Sequence, residues 1–351
     1  MGSSGAVKRL TQADERRIIE RGSRWAVERG FGDSEDLEFT EENGCIEGAD
    51  FDAVSERARE RGSTQVGTLG SGNHFLEIDV IEEVYLSEVA KVFGLEEGRL
   101  AVFVHSGSRG LGYQVCDDYL SVMGKAMHRY GIQLPDRQLA CAPLESDEGR
   151  RYLAAMAGAA NYAWTNRQVI MALAEQCFLE ALGVSPRDLA FRLVYDVCHN
   201  IAKFEQHRVE GREQTLCVHR KGATRAFPPG SPQIPAAYRP VGQPVLIPGD
   251  MGTGSYVLVG TDRAMEETFG SSCHGAGRVK SRTQALKSGK GRDLFREMQE
   301  RGVTLMATGH RTVAEEMPDA YKNIHAVVTA IEQAGISRKV ARLRPVGVIK
   351  G

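Results

Sequence analysis

Cysteine pairs at disulfide or zinc spacing are missing from this 351-residue chain: its seven cysteines follow no regular pattern, and no Cys-x-x-Cys occurs. That excludes a disulfide framework and a zinc ribbon, and the odd number of thiols predicts a reducing compartment. No uninterrupted apolar run reaches the length of about 18 residues that spans a bilayer. The first residues also lack the apolar core of a secretory signal, so a soluble, cytoplasmic protein without membrane contact is predicted. No internal repeat is present. The phosphate-loop pattern GxxxxGK[ST] is absent, and GTLGSG at 67–72 is not a GxGxxG fingerprint in a βαβ setting. A nucleotide, if bound, is therefore held in an unconventional way. Charge of one sign is lacking too, with a formal net of −2.

What is present is local. Arg220, Lys221, Arg225 and Arg239 cluster within 219–239, and Arg278, Lys280 and Arg282 open a basic stretch that runs to Arg301. Basic segments in a near-neutral chain suit a localised anionic ligand better than a bulk polyelectrolyte. From Lys287 onward, interleaved Asp293, Glu297 and Glu300 mark a solvated helix face instead. Residues 11–30 open with a Thr-x-x-Asp cap and predict an amphipathic helix weakened at Gly22. Further helices are predicted at 51–62, 112–130 and 157–182, and strands at 101–105, 193–197, 215–219, 245–248 and 255–260. The Pro- and Gly-rich stretch 222–244 predicts a long ordered loop, a feature that is usually functional. Strands and helices mix without a clean βαβ alternation, which favours α+β.

Four of the nine histidines sit in constrained settings: GSGNHFLE (His74), VHSGSRGLG (His105), DVCHNIAKFE (His199) and SSCHGAGR (His274). Imidazoles from separate elements are what a site for a first-row divalent metal requires. A lone histidine, by contrast, is commonly a hydrogen-bonded structural residue. HSGSRGLG also combines hydroxyls, glycines and Arg109 at the start of a helix, whose N–H groups favour an anion. HRKGATRAFPPG adds cations, and PGDMGTGSY adds a glycine-flexed backbone with Ser255.

In order along the chain, GTLGSGNHFLEI, HSGSRGLG, CHNIAKFE, HRKGATRAFPPG, PGDMGTGSYVLVG, SSCHGAGR and the terminal VGVIKG resemble the signature blocks of the RtcB-type RNA ligases, from Gly2 to Gly351. The resemblance implies one RtcB-like catalytic domain over 1–351, α+β, with mixed and antiparallel sheets packed centrally among helices. It implies a GTP- and Mn2+-dependent ligase that joins RNA 3′-phosphate or 2′,3′-cyclic phosphate ends to 5′-hydroxyl ends through a histidine–GMP intermediate, in RNA repair or tRNA splicing. His274 would be the nucleophile, its glycine neighbours leaving room for in-line approach to the α-phosphorus. His74, His105 and His199 would bind manganese. Asn73, His199, Asn200, Asp250 and Gly275, Ala276 and Gly277 would border the nucleotide. Glu77, Ser255, Tyr321 and Lys350 would line the guanine pocket, with Tyr321 stacking on the base. Arg109, Lys221 and Arg282 would hold RNA phosphates.

Two departures from the family pattern stand out. Full-length relatives carry an Asp-x-x-Cys-Gly block whose Asp and Cys also bind manganese, and this chain begins after it. The family's two-ion arrangement is accordingly expected to weaken, leaving one ion, and a complementing N-terminal segment joins an archease-type activator among the expected partners. Cys198 and Cys273 adjoin site histidines, but strand neighbours point to opposite faces, so neither is expected to replace the bridging thiolate. The second departure is Asp250, where many relatives carry Ser. The competing readings are a non-catalytic RNA- or nucleotide-binding fragment, half of a split ligase, and a metal-dependent phosphoesterase that needs no GTP.

Overall fold

The computed structural model describes residues 5–136 and 139–351. The chain gathers into two compact units: residues up to Thr68 with Ser106–Leu193, and Leu69–His105 with Val194–Gly351. The first is helical, the second is built on a sheet, and the α+β class holds.

In the helical unit the Thr-x-x-Asp cap forms as expected. The Asp14 N–H donates to Thr11 Oγ1 at 3.2 Å, and the Asp14 carboxylate accepts the Thr11 N–H in return. The predicted 11–30 helix breaks, however, into Gln12–Arg21 and Arg24–Val27. Gly22 between them has φ +55°, and a Cβ there would lie 1.9 Å from the Gly44 carbonyl oxygen. The weak position is therefore a tight chain crossing that only glycine fits. The expected helices at 112–130 and 157–182 extend to Arg109–Tyr130 and Asp147–Leu182, and the predicted 51–62 helix is shortened to Glu56–Gly62. Ile18, Ile19, Trp25, Phe51, Leu111, Tyr162 and Val169 form the core. Two buried asparagines on the long helix satisfy backbone that has no ladder of its own. Asn161 binds the Ile19 carbonyl and the Ile46 N–H, while Asn166 accepts from Gly67 and Thr68 N–H and donates to the Thr68 and Gly107 carbonyls. Unpaired, those groups would each cost a desolvation penalty.

The strands of the second unit are, in chain order, β1 (Phe75–Val84), β2 (Leu100–His105), β3 (Asn200–Val209), β4 (Arg212–Lys221), β5 (Ala223–Arg225), β6 (Pro244–Asp250), β7 (Gly254–Gly260), β8 (Ser271–Cys273), β9 (Thr304–Ala307) and β10 (Ser337–Lys350). Six form one sheet in the order β2-β1-β10-β7-β6 with β9 parallel to β10; β3/β4 and β5/β8 are separate antiparallel pairs. All seven residues of β7 are buried, which explains its unbroken apolar run. Val245, Ile247, Tyr256, Leu258, Ile324, Val328 and Ile336 pack into its core.

The expected strand at 193–197 does not form. The stretch makes only an isolated bridge at Asp196, Tyr195 alone is buried, and the Val194 carbonyl accepts the Tyr238 hydroxyl at 2.7 Å. The 222–244 stretch is the expected ordered loop apart from β5 and a 3-10 turn at Ala236–Tyr238. Buried Arg225 holds it, donating to Gln243 Oε1, the Gln233 carbonyl and the Tyr195 hydroxyl at 2.9–3.1 Å. Among the described residues no helix is long and apolar enough to cross a membrane.

Candidate active site

Each of the four singled-out histidines stands at a strand end in the sheet-bearing unit. His74 immediately precedes β1 and His105 closes β2, and Phe75 pairs with His105 in the ladder. His199 immediately precedes β3, its carbonyl accepting the Gly222 N–H at 3.1 Å, and His274 follows β8. Strand ends from three separate sheets therefore converge, bringing together residues up to 200 positions apart. The rings form a chain: centroids lie 5.7 Å apart from His74 to His105, 5.1 Å from His105 to His199, and 4.3 Å from His199 to His274.

The Nε2 atoms of His105 and His199 lie 3.1 Å apart. Two nitrogens on one ion, each bonded at about 2.1 Å at angles between 90° and tetrahedral, are separated by about 3.0–3.4 Å. Burial, followed by the neighbouring histidines and Lys350, holds the His105 ring well below the usual imidazole range, leaving it in the neutral form that ligates. The donors thus fit an open site, with His105 and His199 as the pair and His74 beside it. Among the described residues no three or more His, Cys, Asp or Glu side chains close into a ligand shell by themselves. Cys273 stays a thiol, its pKa pushed up by burial, so no thiolate is offered there.

His274 lies in a cleft of about 180 Å³ that it shares with Asn73, Glu77, His105, Asp250, Gly275, Ala276, Gly277, Arg282, Tyr321 and Lys350. Its two glycine neighbours have different reasons: close packing at Gly275, backbone conformation at Gly277. A Cβ on Gly275 would come within 3.2 Å of the Pro248 carbonyl oxygen, and Gly277 has φ +71°. Gly222 backs the ring closely: a Cβ there would lie 3.7 Å from His274 Cε1. Burial lowers the His274 pKa; the hydrogen bond to the Gly222 backbone opposes this and Lys221 adds to it.

Glu77 and Asp79 occupy one face of β1 and are both fully enclosed. Burial, then Asp79, pushes the Glu77 carboxyl well above the carboxylate range, while Lys350 and Ser255 pull it back. Ser255 is not on the cleft surface; it sits behind Glu77, its hydroxyl 3.4 Å from Glu77 Oε2. Lys350 is held down by burial, opposed by Glu316 and Glu77. The Tyr321 hydroxyl donates to Glu316, and Arg278 lies over the Tyr321 ring at 5.1 Å. Asn200 and Lys221 stand at the base of the β3/β4 hairpin, paired in register but outside the cleft lining. Arg282 is exposed and lies within 4.0 Å of Glu315 and Glu316. Arg109 belongs to the helical unit, where it opens its helix at φ 55° and donates to Thr68 Oγ1 at 3.1 Å.

Residue reading alone gave Arg278 only as one of a run of cations, and it missed Glu316 and Asp79. The alternation Glu77-Ile78-Asp79 was a usable signal for the last; Glu316, one acid among several in 315–319, carried none.

The family described as tRNA-splicing ligase RtcB matches residues 1–351. The chain belongs to the RtcB family. Membership makes it an enzyme of the ligase class. It is 54% identical over 351 residues to the tRNA-splicing ligase RtcB of Archaeoglobus fulgidus, covering all of this chain and 73% of that protein. The RtcB ligase of Thermococcus kodakarensis is 52% identical over 352 residues, with 73% of its length covered. That of Pyrococcus abyssi is 54% identical over 352 residues, and there the chain spans 38% of the relative.

Proposed function

We propose that this RtcB-family chain joins RNA ends bearing a 3′-phosphate or 2′,3′-cyclic phosphate to ends bearing a 5′-hydroxyl, at the expense of GTP. The observation that carries the reading is the seat of His274: an imidazole in a glycine cradle, 4.3 Å from the His199 ring, in one cleft with Glu77 and Lys350. Burial keeps that imidazole neutral, as a nucleophile requires. A ring nitrogen of His274 attacks the α-phosphorus of GTP, forming a P–N bond as the bond to pyrophosphate breaks. The guanylyl group then passes to the RNA 3′-phosphate, and the 5′-hydroxyl attacks that activated phosphate and releases GMP. A cyclic end is first opened by hydrolysis.

Glu77 accepts guanine N–H bonds, donors that join Ser255 and Lys350 in favouring the ionised carboxylate that burial and Asp79 oppose, and Tyr321 offers its ring to the base. Asn73 and Asp250 border the phosphates. Lys221, Arg282 and Arg109 hold RNA phosphates as point charges and forks. Manganese, held by His105 and His199 with His74 beside them, would supply charge neutralisation at the phosphates.

The test is end-joining with RNAs of defined termini, GTP and manganese. Product is expected from 3′-phosphate or cyclic ends with 5′-hydroxyl partners. Joining only of 3′-hydroxyl to 5′-phosphate ends would contradict the reading; RNA binding without joining would favour a binding fragment, and phosphate release without GTP a phosphoesterase.

A further inference from the structure

The strand that presents His274 cannot hold itself in place. β8 is three residues long and its ladder partner β5 is equally short, less than an independently stable pair. Immediately before it, Phe269 at φ 50° and Gly270 at φ 60° turn the chain through the left-handed region, which a phenylalanine adopts only under constraint.

Arg220, on β4, reaches this turn. Its Nε donates to Ser271 Oγ at 2.9 Å, and one Nη donates to the Phe269 carbonyl at 2.9 Å and the Gly270 carbonyl at 3.4 Å. The same guanidinium is gripped by Glu205 on β3 in a two-pronged pair of 2.6 and 2.8 Å, and Glu205 also meets His207 Nε2 at 3.0 Å. All three side chains are buried. Burial pushes the Glu205 carboxyl up, but Arg220 outweighs it and the group stays ionised. The segment is tied locally by Thr268 Oγ1 to the Ser271 carbonyl, to the main sheet by Ser272 to Ser337, and along its backbone by the short β5 ladder and the Ala226 N–H to the Gly270 carbonyl. Arg220 links the segment to the β3/β4 hairpin, and the base of that hairpin carries His199. Ile201, two residues past His199, pairs with Arg220, and Gly222 binds the His199 carbonyl and backs the His274 ring.

We propose that Arg220 is a positioning residue for His274: by tying the His199 hairpin to the strand that carries His274, it sets the spacing between the two imidazoles. The inference rests on His274 being the guanylylated group. A lysine cannot substitute, because one ammonium lacks the planar fork that spans the Glu205 carboxylate and the Phe269–Ser271 turn together.

The experiment is single-turnover labelling with α-labelled GTP and manganese, comparing the parent chain with Arg220→Lys. A misplaced nucleophile slows the step without removing sites, since a shift of about 1 Å costs up to about a hundredfold. The rate constant at saturating GTP is expected to fall about tenfold or more, with the half-saturating GTP concentration and the final label per chain unchanged. A reduced endpoint at an unchanged rate constant, the mark of a merely structural role, would overturn the proposal. Should Arg220→Lys fail to fold, Ser271→Ala removes one acceptor of the clamp and is read in the same way. A parent chain that takes no label sinks the reading of His274 itself. Spacing is then decided by 15N-histidine spectra, in which the His274 signals, identified by their loss in His274→Ala, move or double in the Arg220 variant if the proposal holds. Unmoved signals refute it.

Discussion

At the residue scale, the most exposed assumption of the site is its pair of carboxyls on β1. Asp79 is fully buried and neither of its oxygens finds a hydrogen-bond partner among the described residues; burial pushes its pKa to about 7. A carboxyl raised in the folded state binds protons there that the unfolded chain, titrating near 4, has already lost. Its favourable contribution is therefore complete at low pH and disappears as pH rises toward 7. Asp79→Asn should leave the melting temperature little changed near pH 4 and raise it relative to the parent chain at pH 8, the gap opening between those values. Equal melting curves at pH 8 would show that Asp79 is not carrying that cost. The histidines were legible in the sequence because His74, His105 and His199 each adjoin Asn, Ser or Cys, and glycines flank His74, His105 and His274. Ser255 was singled out in the sequence, but its seat behind Glu77 was not readable there, because that depends on the β10–β7 and β1–β10 registers. Glu316 was hidden for a similar reason: what singles it out is Arg278 and Tyr321 closing over it, not its neighbours in the chain.

At the element scale, apolar runs located β2, β6 and β7 well, while β1 and β10 went unread. Both alternate charge with apolar residues, and the charges on β10 are answered across the sheet: Arg342 and Arg344 meet Glu82 of β1 at 3.2 Å. Pro345 inside β10 also argues against a strand, yet it sits where the β1–β10 register shifts, a place that tolerates the lost N–H. The opposite error, at 193–197, came from taking a short apolar run for a strand where the chain makes only an isolated bridge. These strands position the site, so weakening them should loosen it. Leu258, fully buried at the centre of β7, supports the sheet on which Glu77 and Lys350 stand. Leu258→Ala should cost about 2–5 kcal/mol of stability by denaturant titration. A loss below about 1 kcal/mol would mean the sheet core repacks freely around the gap.

At the scale of the whole molecule, the α+β class was legible from the irregular mix of elements, but the division into two units was not. Each unit is assembled from two separated stretches, and its internal ties span distances such as the 142 residues between Ile19 and Asn161. No local pattern encodes such a pairing. With a net charge of −2, RNA affinity must come from a few placed cations. The proposed phosphate roles of Lys221 and Arg282 on the sheet-bearing unit predict that these two contribute about −1.4 to the log–log salt slope for single-stranded RNA, reduced by about 0.7 in Arg282→Ala. A slope near zero would remove these residues from the RNA path. The central claim, that His274 takes a guanylyl group from GTP, is tested most directly by incubating the chain with manganese and α-labelled GTP and looking for acid-labile label on protein. The account predicts label on the parent chain and none on His274→Ala; label that survives in His274→Ala, or a folded parent chain that takes none, would contradict it.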